Sequence, residues 1–105
     1  MISAIKVRVS DIMEITGIKI RKITERGRLR GIVSVTFDDV LAVHDIKIVQ
    51  GEHRIFAAMP SRRDENGEFR DIVHPITANA REEIEDRILR AFEEECDRRG
   101  ISVAR

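Results

Sequence analysis

The chain has 105 residues, 36% of them charged and 42% hydrophobic, and its 19 Lys and Arg balance 19 Asp and Glu. This length makes one domain with a core of modest size, and the zero net charge removes the simplest electrostatic argument for a nucleic-acid binder, which is usually basic overall. No apolar run approaches a membrane span, Lys6, Arg8 and Asp11 interrupt any signal-peptide core, and the lone Cys96 cannot close an internal disulfide, so the chain reads as a reduced, cytoplasmic protein.

The charge is unevenly spread. Residues 1–63 hold 12 Lys and Arg against 7 Asp and Glu, and residues 64–105 hold 7 against 12. The first part is therefore +5 and the second −5. This permits an electropositive sheet beside an acidic helix, and it equally permits head-to-tail self-association.

In chain order, residues 1–12 contain a short alternation of Ile5, Val7 and Val9 with Lys6, Arg8 and Ser10, the pattern of a strand. A similar pattern returns over 17–23, with Ile18 and Ile20 against Lys19 and Arg21. Thr24 to Gly27 reads as a turn and Arg28 to Phe37 as the next strand. Leu29, Gly31, Val33, Val35 and Phe37 share one face of it. A hairpin of these two strands gathers Lys19, Arg21, Arg28 and Arg30 near its turn; the residues alone favour a solvated face that protects an edge. Asp38-Asp39 is a polar break. In the strand over 41–49 the apolar positions change phase between Val43 and Ile46, which predicts a bulge near His44 or burial on both sides.

Gly51 to His53 is a turn, and Ile55 to Met59 is a fourth strand that Pro60 ends by removing a backbone donor. Asn66-Gly67 can take the positive φ angles of a tight turn. A fifth strand runs from Phe69 to Val73, and Pro75 stops it. Two readings of 56–75 stand side by side: a hairpin with a long solvated loop, which the residues alone favour, and a basic tip of Arg62 and Arg63 presented to an anionic partner.

From Ala78 the pattern becomes helical. Ile84, Ile88, Leu89, Phe92 and Cys96 form one apolar stripe. Asn79 with Glu82 fits a capping box, and Thr77 is a rival cap. Glu83–Arg87, Asp86–Arg90, Glu94–Arg98 and Glu95–Arg99 are acid-before-base pairs at i, i+4. Gly100 suits the position after the helix. A sheet followed by a helix implies an α+β fold: a twisted antiparallel sheet of about five strands with the C-terminal helix packed on it. One helix leaves sheet surface and edges uncovered, and a homodimer is the economical way to bury them.

Catalytic chemistry is sparse. His44-Asp45 resembles a metal-binding dipeptide, but in a strand the two side chains point to opposite faces, and His74 with Asp71 adds only a weak third contribution. A hydrogen-bonded structural histidine is the favoured reading. Cys96 on the apolar stripe is a core thiol. Ser61 has no paired base in view, and no glycine pattern matches a phosphate loop. Without Trp or Tyr and with four Phe, a base-stacking platform is disfavoured.

The segments GRLRGIVSVTFDD (27–39), HDIKIVQG (44–51) and FAAMPSRRDENGEFRDIVHPI (56–76), with Asn79-Ala80-Arg81 after them, resemble the stage V sporulation protein G (SpoVG) family. The resemblance runs from Met13 to Glu95. It implies a small α+β fold and a homodimer. It also implies a bacterial cytoplasmic regulator tied to septum formation, and to sporulation in spore formers, that binds DNA and RNA. No enzymatic activity, metal or cofactor comes with it. Recognition in the family is attributed partly to the start of the C-terminal helix and nearby basic residues, which on this chain are Arg81 with Arg62, Arg63 and Arg70. Glu82, Glu83, Glu85 and Asp86 follow Arg81 closely and would oppose phosphate. The alternative is a protein-interaction module in septum formation, with its acidic helix or an open edge meeting a septation partner. The domain is expected over 13–105, with 1–12 as an N-terminal extension: either an added strand or the product of a start upstream of Met13.

Overall fold

The computed structural model describes residues 13–102; the strand expected within 1–12 lies outside them. Four strands form an antiparallel meander in sequence order: β1 (Ile15–Ile23), β2 (Leu29–Phe37), β3 (Leu41–Gln50) and β4 (Ile55–Ala58). A separate two-stranded ribbon follows, β5 (Ser61–Arg63) with β6 (Phe69–Asp71), and the chain continues into one helix, α1 (Ala78–Arg98). The α+β expectation holds. Among the described residues, however, the sheet has four strands rather than about five. The predicted fifth strand is shorter and pairs with Ser61–Arg63 instead of joining the meander. Pro60 lies at that departure, where it cannot donate to a ladder.

The apolar spacing along β1 and β3 fits neither a flat strand nor a helix. Ile15, Ile18, Ile20 and Ile23 recur at intervals of three, two and three, and register shifts near Thr16 and Arg21 bring all four to one face. In β3 the register shifts between Val43 and Ile46, and Asp45 there has φ 64°. That is the bulge expected near His44. An extra residue returns the next apolar side chain to the core face, and Asp tolerates the left-handed backbone better than most residues. Between β2 and β3, Asp38 and Asp39 both have positive φ, 53° and 59°, the backbone of a primed hairpin turn. Asp38 is held further by its own Oδ1, which accepts from the Glu14 N–H at 3.1 Å.

The helix lies on this apolar face. Ile88, Leu89, Phe92 and Cys96 are buried against Val33, Val35, Phe37, Ile46, Ile48 and Ile55, and Ile84 packs at the margin. The expected stripe is therefore the core side of α1. Thr77, with extended backbone, is the N-cap, its Oγ1 accepting from the Ala80 N–H at 3.1 Å. Asn79 falls inside the helix, so no Asn79–Glu82 capping box forms. At the other end Gly100, φ 74°, follows the cap; its N–H reaches the Asp97 carbonyl, and the Ile101 N–H reaches that of Cys96 at 2.8 Å. These two bonds make a Schellman motif with Ile101 folded back onto the core. Asp86–Arg90 and Glu95–Arg99 pair as the spacing predicts. Arg98 turns to Glu95 rather than Glu94, and Arg87 reaches the Ile15 carbonyl of β1 at 3.4 Å rather than Glu83.

Besides the Arg87 contact to β1, two further contacts hold the layers. The Phe92 ring lies over Gly31, where an added Cβ would meet Cε1 at 2.6 Å and the Lys22 carbonyl oxygen at 2.9 Å. Glu85 Oε2 accepts from the N–H of Ala57 on edge strand β4 at 2.9 Å, so a helix carboxylate satisfies a donor that the edge would otherwise expose.

The ribbon turn is built by one carboxylate. The Gly67 N–H bonds the Asp64 carbonyl at 3.1 Å and the Asp64 N–H bonds that of Glu68 at 2.8 Å. This is a three-residue loop in which Gly67, φ 82°, supplies the left-handed position; Asn66 does not. Asp64 Oδ1 accepts from the N–H groups of Asn66 and Glu68, and Oδ2 accepts from Arg70 Nε at 2.6 Å. The Arg70 hydrogen bond, then the Glu68 amide, holds the Asp64 carboxyl below its ordinary value of 3.8.

Gly31→Ala should lower the melting temperature, because overpacking of this kind costs about 1–3 kcal/mol and each kcal/mol shifts a domain of this size by roughly 4–8 °C. Thermal unfolding should also show that Phe92→Leu costs less in the Gly31→Ala background than in wild type, as expected for side chains in contact. For Asp64, a depressed folded value means its stabilisation is present above the unfolded value and lost as pH falls through the lower, folded one. Exchange of the Asn66 and Glu68 amides should therefore accelerate relative to core amides below about pH 4, and Asp64→Ala should accelerate it already at neutral pH.

Candidate nucleic-acid interface

Side chains alternate across a strand, so adjacent Arg62 and Arg63 leave opposite faces of the ribbon. The register sets Arg62 across from Arg70 and Arg63 across from Phe69. Like charges directly opposite repel, and Arg70 is neutralised by Asp64 at 2.6 Å with Glu68 at 3.8 Å. On the other face the Arg63 guanidinium lies 4.9 Å from the Phe69 ring centroid, a cation–π contact. Arg62 is exposed and forms none of the ion pairs among the described residues.

Arg81 projects from the first turn of α1, exposed, just past a cap region with no carboxylate. A cation there opposes the helix dipole, so it adds little to the helix and leaves this end positive until Glu82 and Glu83. The ribbon root and the helix start come together at one groove. Met59, Val73, His74, Pro75, Ala80 and Ile84 line it with Met13, Phe37, Leu41, Val43 and Ile46. Arg62 and Arg70 are thus brought together on one ribbon face, Arg63 is turned away from them, and Arg81 stands on the neighbouring helix end.

Sequence reasoning missed the groove itself. Its open wall includes Met13, Leu41, Val73 and Ile76, with Ile76 86% exposed. The available signal was the apolar run Ile72-Val73 and Ile76 around His74-Pro75, too short to read as a core element.

The metal-like residues have other partners. His44 Nδ1 lies 2.8 Å from Ser34 Oγ on the sheet face away from the helix. Asp45 forms the bulge, and His74 Nδ1 lies 3.0 Å from the Pro75 carbonyl. Among the described residues no three His, Cys, Asp or Glu converge on a metal-sized site. Cys96 is fully buried, and burial pushes its thiol up, away from nucleophilic chemistry. No helix among the described residues is long and apolar enough to cross a membrane.

Comparison with known proteins places this framework. The family profile SpoVG matches residues 13–94. The chain is 57% identical over 81 residues to a protein of Desulforudis audaxviator, covering 77% of this chain and 92% of that one. It is 47% identical over 85 residues to one of Acholeplasma laidlawii, with 81% and 90% covered. A third, from Clostridium botulinum (strain Alaska E43), is 46% identical over 89 residues, with 85% and 98% covered. Each carries the name "Putative septation protein SpoVG". With a profile spanning most of the described residues and relatives covered over nearly their full length, the chain belongs to the SpoVG family.

Proposed function

We propose that this protein is a homodimeric nucleic-acid-binding regulator of septation and cell division, acting also in sporulation where the host forms spores. The observation that carries the reading is the ribbon of β5 and β6, which displays Arg62 outside the ion pairs of the described residues and whose root meets, at one groove, the start of the helix that bears Arg81, in a family whose members are named for septation. Arg62 and Arg81 are the principal phosphate contacts. Arg63 contributes from the opposite ribbon face, and Arg70 serves mainly to hold Asp64 and the turn. The role is one of binding in the cytoplasm, with no cofactor.

Homodimerisation is supported by the apolar groove. Exposed Met13, Leu41, Val73 and Ile76 lie in one continuous strip, larger than isolated surface hydrophobics require. Pairing there would set two ribbons and two helix starts in one assembly and double the cationic contacts. The same strip favours a second reading, in which the groove receives a septation protein and nucleic-acid binding is slight.

Anisotropy titrations of a labelled DNA duplex and its RNA counterpart at several salt concentrations test the first reading. Arg62→Ala should weaken binding and make the salt slope shallower by about 1, the signature of one lost phosphate contact. Arg70→Ala should instead lower the pH tolerance of the ribbon turn. Absence of binding at low salt, or binding indifferent to salt, would overturn the phosphate model. For the dimer, Val73→Glu with Ile76→Glu should give a folded monomer in sedimentation analysis, whereas an unchanged dimer would place the interface elsewhere.

A further inference from the structure

The sheet has a second face that the helix does not touch. Register places Lys22, Ile32, Lys47 and Ala58 in one row across it, with Lys19 beside Ser34 in the next. The Arg21 bulge turns that side chain onto the same face, where its Nε donates to Ser34 Oγ at 2.9 Å. Lys19, Arg21, Lys22 and Lys47 are all exposed. Among the described residues the ion pairs engage Arg54, Arg70, Arg90, Arg98 and Arg99, and none engages these four. At about 3.3 Å per residue and about 4.8 Å between strands, Lys22 stands roughly 10 Å from Lys19 and from Lys47, and Lys19 and Lys47 stand roughly 14 Å apart. These spacings bracket the ~12 Å width of the B-DNA major groove.

Resting on the nucleic-acid reading above, we propose that this open sheet face is a nucleic-acid backbone surface, with Lys19, Arg21, Lys22 and Lys47 contacting phosphates. The occupant follows from what the face carries and lacks. Among the described residues its cations enter no ion pair, so a polyanion complements it and releases condensed ions on binding. Among the described residues it carries no large, well-exposed apolar side chain of the kind that centres a protein interface. The large exposed hydrophobics, Met13, Val40, Leu41, Phe69, Ile72, Val73 and Ile76, belong to the groove, the β2–β3 turn and the ribbon. Ile32, Val49 and Phe56 on the open face are partly buried. Ile32 lies between Lys22 and Lys47, Ser34 stands beside Lys19, and the small side chains of Thr36 and Ala42 follow in the row beyond, where a backbone can approach closely.

The test uses the whole chain and a labelled mixed-sequence DNA duplex of two helical turns, with matched RNA, at salt concentrations from about 50 to 200 mM. The variant K19Q/K22Q/K47Q should lose about tenfold or more in affinity near 0.1 M salt, and its salt slope should be shallower by about 2 to 3. K19R/K22R/K47R should keep wild-type affinity, and both variants should keep the wild-type melting temperature. Wild-type affinity and slope in the glutamine variant would overturn this inference. If Arg62→Ala still weakened binding, the ribbon reading would survive that result. Failure of the wild-type chain to bind at the lowest salt would overturn both. Displacement of the duplex by poly-L-glutamate at equal charge would reassign the face to an acidic protein.

Discussion

A single helix can cover only one face of a four-stranded sheet, and the seating of Phe92 on Gly31 decides which face it is. The residue that permits this contact has no side chain, and the one that makes it is fully buried. Most of the apolar side chains of β1 to β4 then turn toward the helix, with Ile32, Val49 and Phe56 left on the other face. The three bulges in β1 and β3 do that turning: without them Ile15, Ile23, Ile46 or Ile48 would emerge on the wet side. Bulges cost local ladder pairing, and here they are offset by the core side chains they return.

The same constraint sorts the charge. A helix with one face on the core carries its polar residues outward, and in α1 those are mostly carboxylates. The uncovered sheet face must be wettable, and it carries lysine and arginine. The molecule is neutral overall yet divided into an acidic layer and a basic one, so its net charge says little about its encounters with polyanions. Contacts between the layers tie the helix to both edges of the sheet, through Glu85 at β4 and Arg87 at β1. Surface ion pairs along the helix, such as Asp86–Arg90, add only small increments to this.

Much of this was legible in the residues. The stripe from Ile84 to Cys96 named the buried side of α1, and the phase change between Val43 and Ile46 announced a bulge. Gly100 marked the helix end. The misjudged points were choices between near-equal local options. Thr77 and Asn79 both suit an N-cap, and Thr77, whose own backbone is extended, takes the position. Phe69 to Val73 has strand composition, but composition names no partner; the turn built by Asp64 supplies one at Ser61–Arg63 before the meander can.

The candidate site was less legible than the fold. From the sequence, Arg62, Arg63, Arg70 and Arg81 form one basic group. The ribbon pleat separates Arg62 from Arg63, and Asp64 engages Arg70. By itself the sequence determined the element types, the core side of the helix and the family, because these depend on periodicity, turn chemistry and runs of identity along the chain. Only the tertiary structure decided which cations stand together without a counter-charge, and that apolar side chains from Met13 to Ile84 share one groove. Both depend on register and on packing between segments far apart in the chain, and no local pattern encodes either.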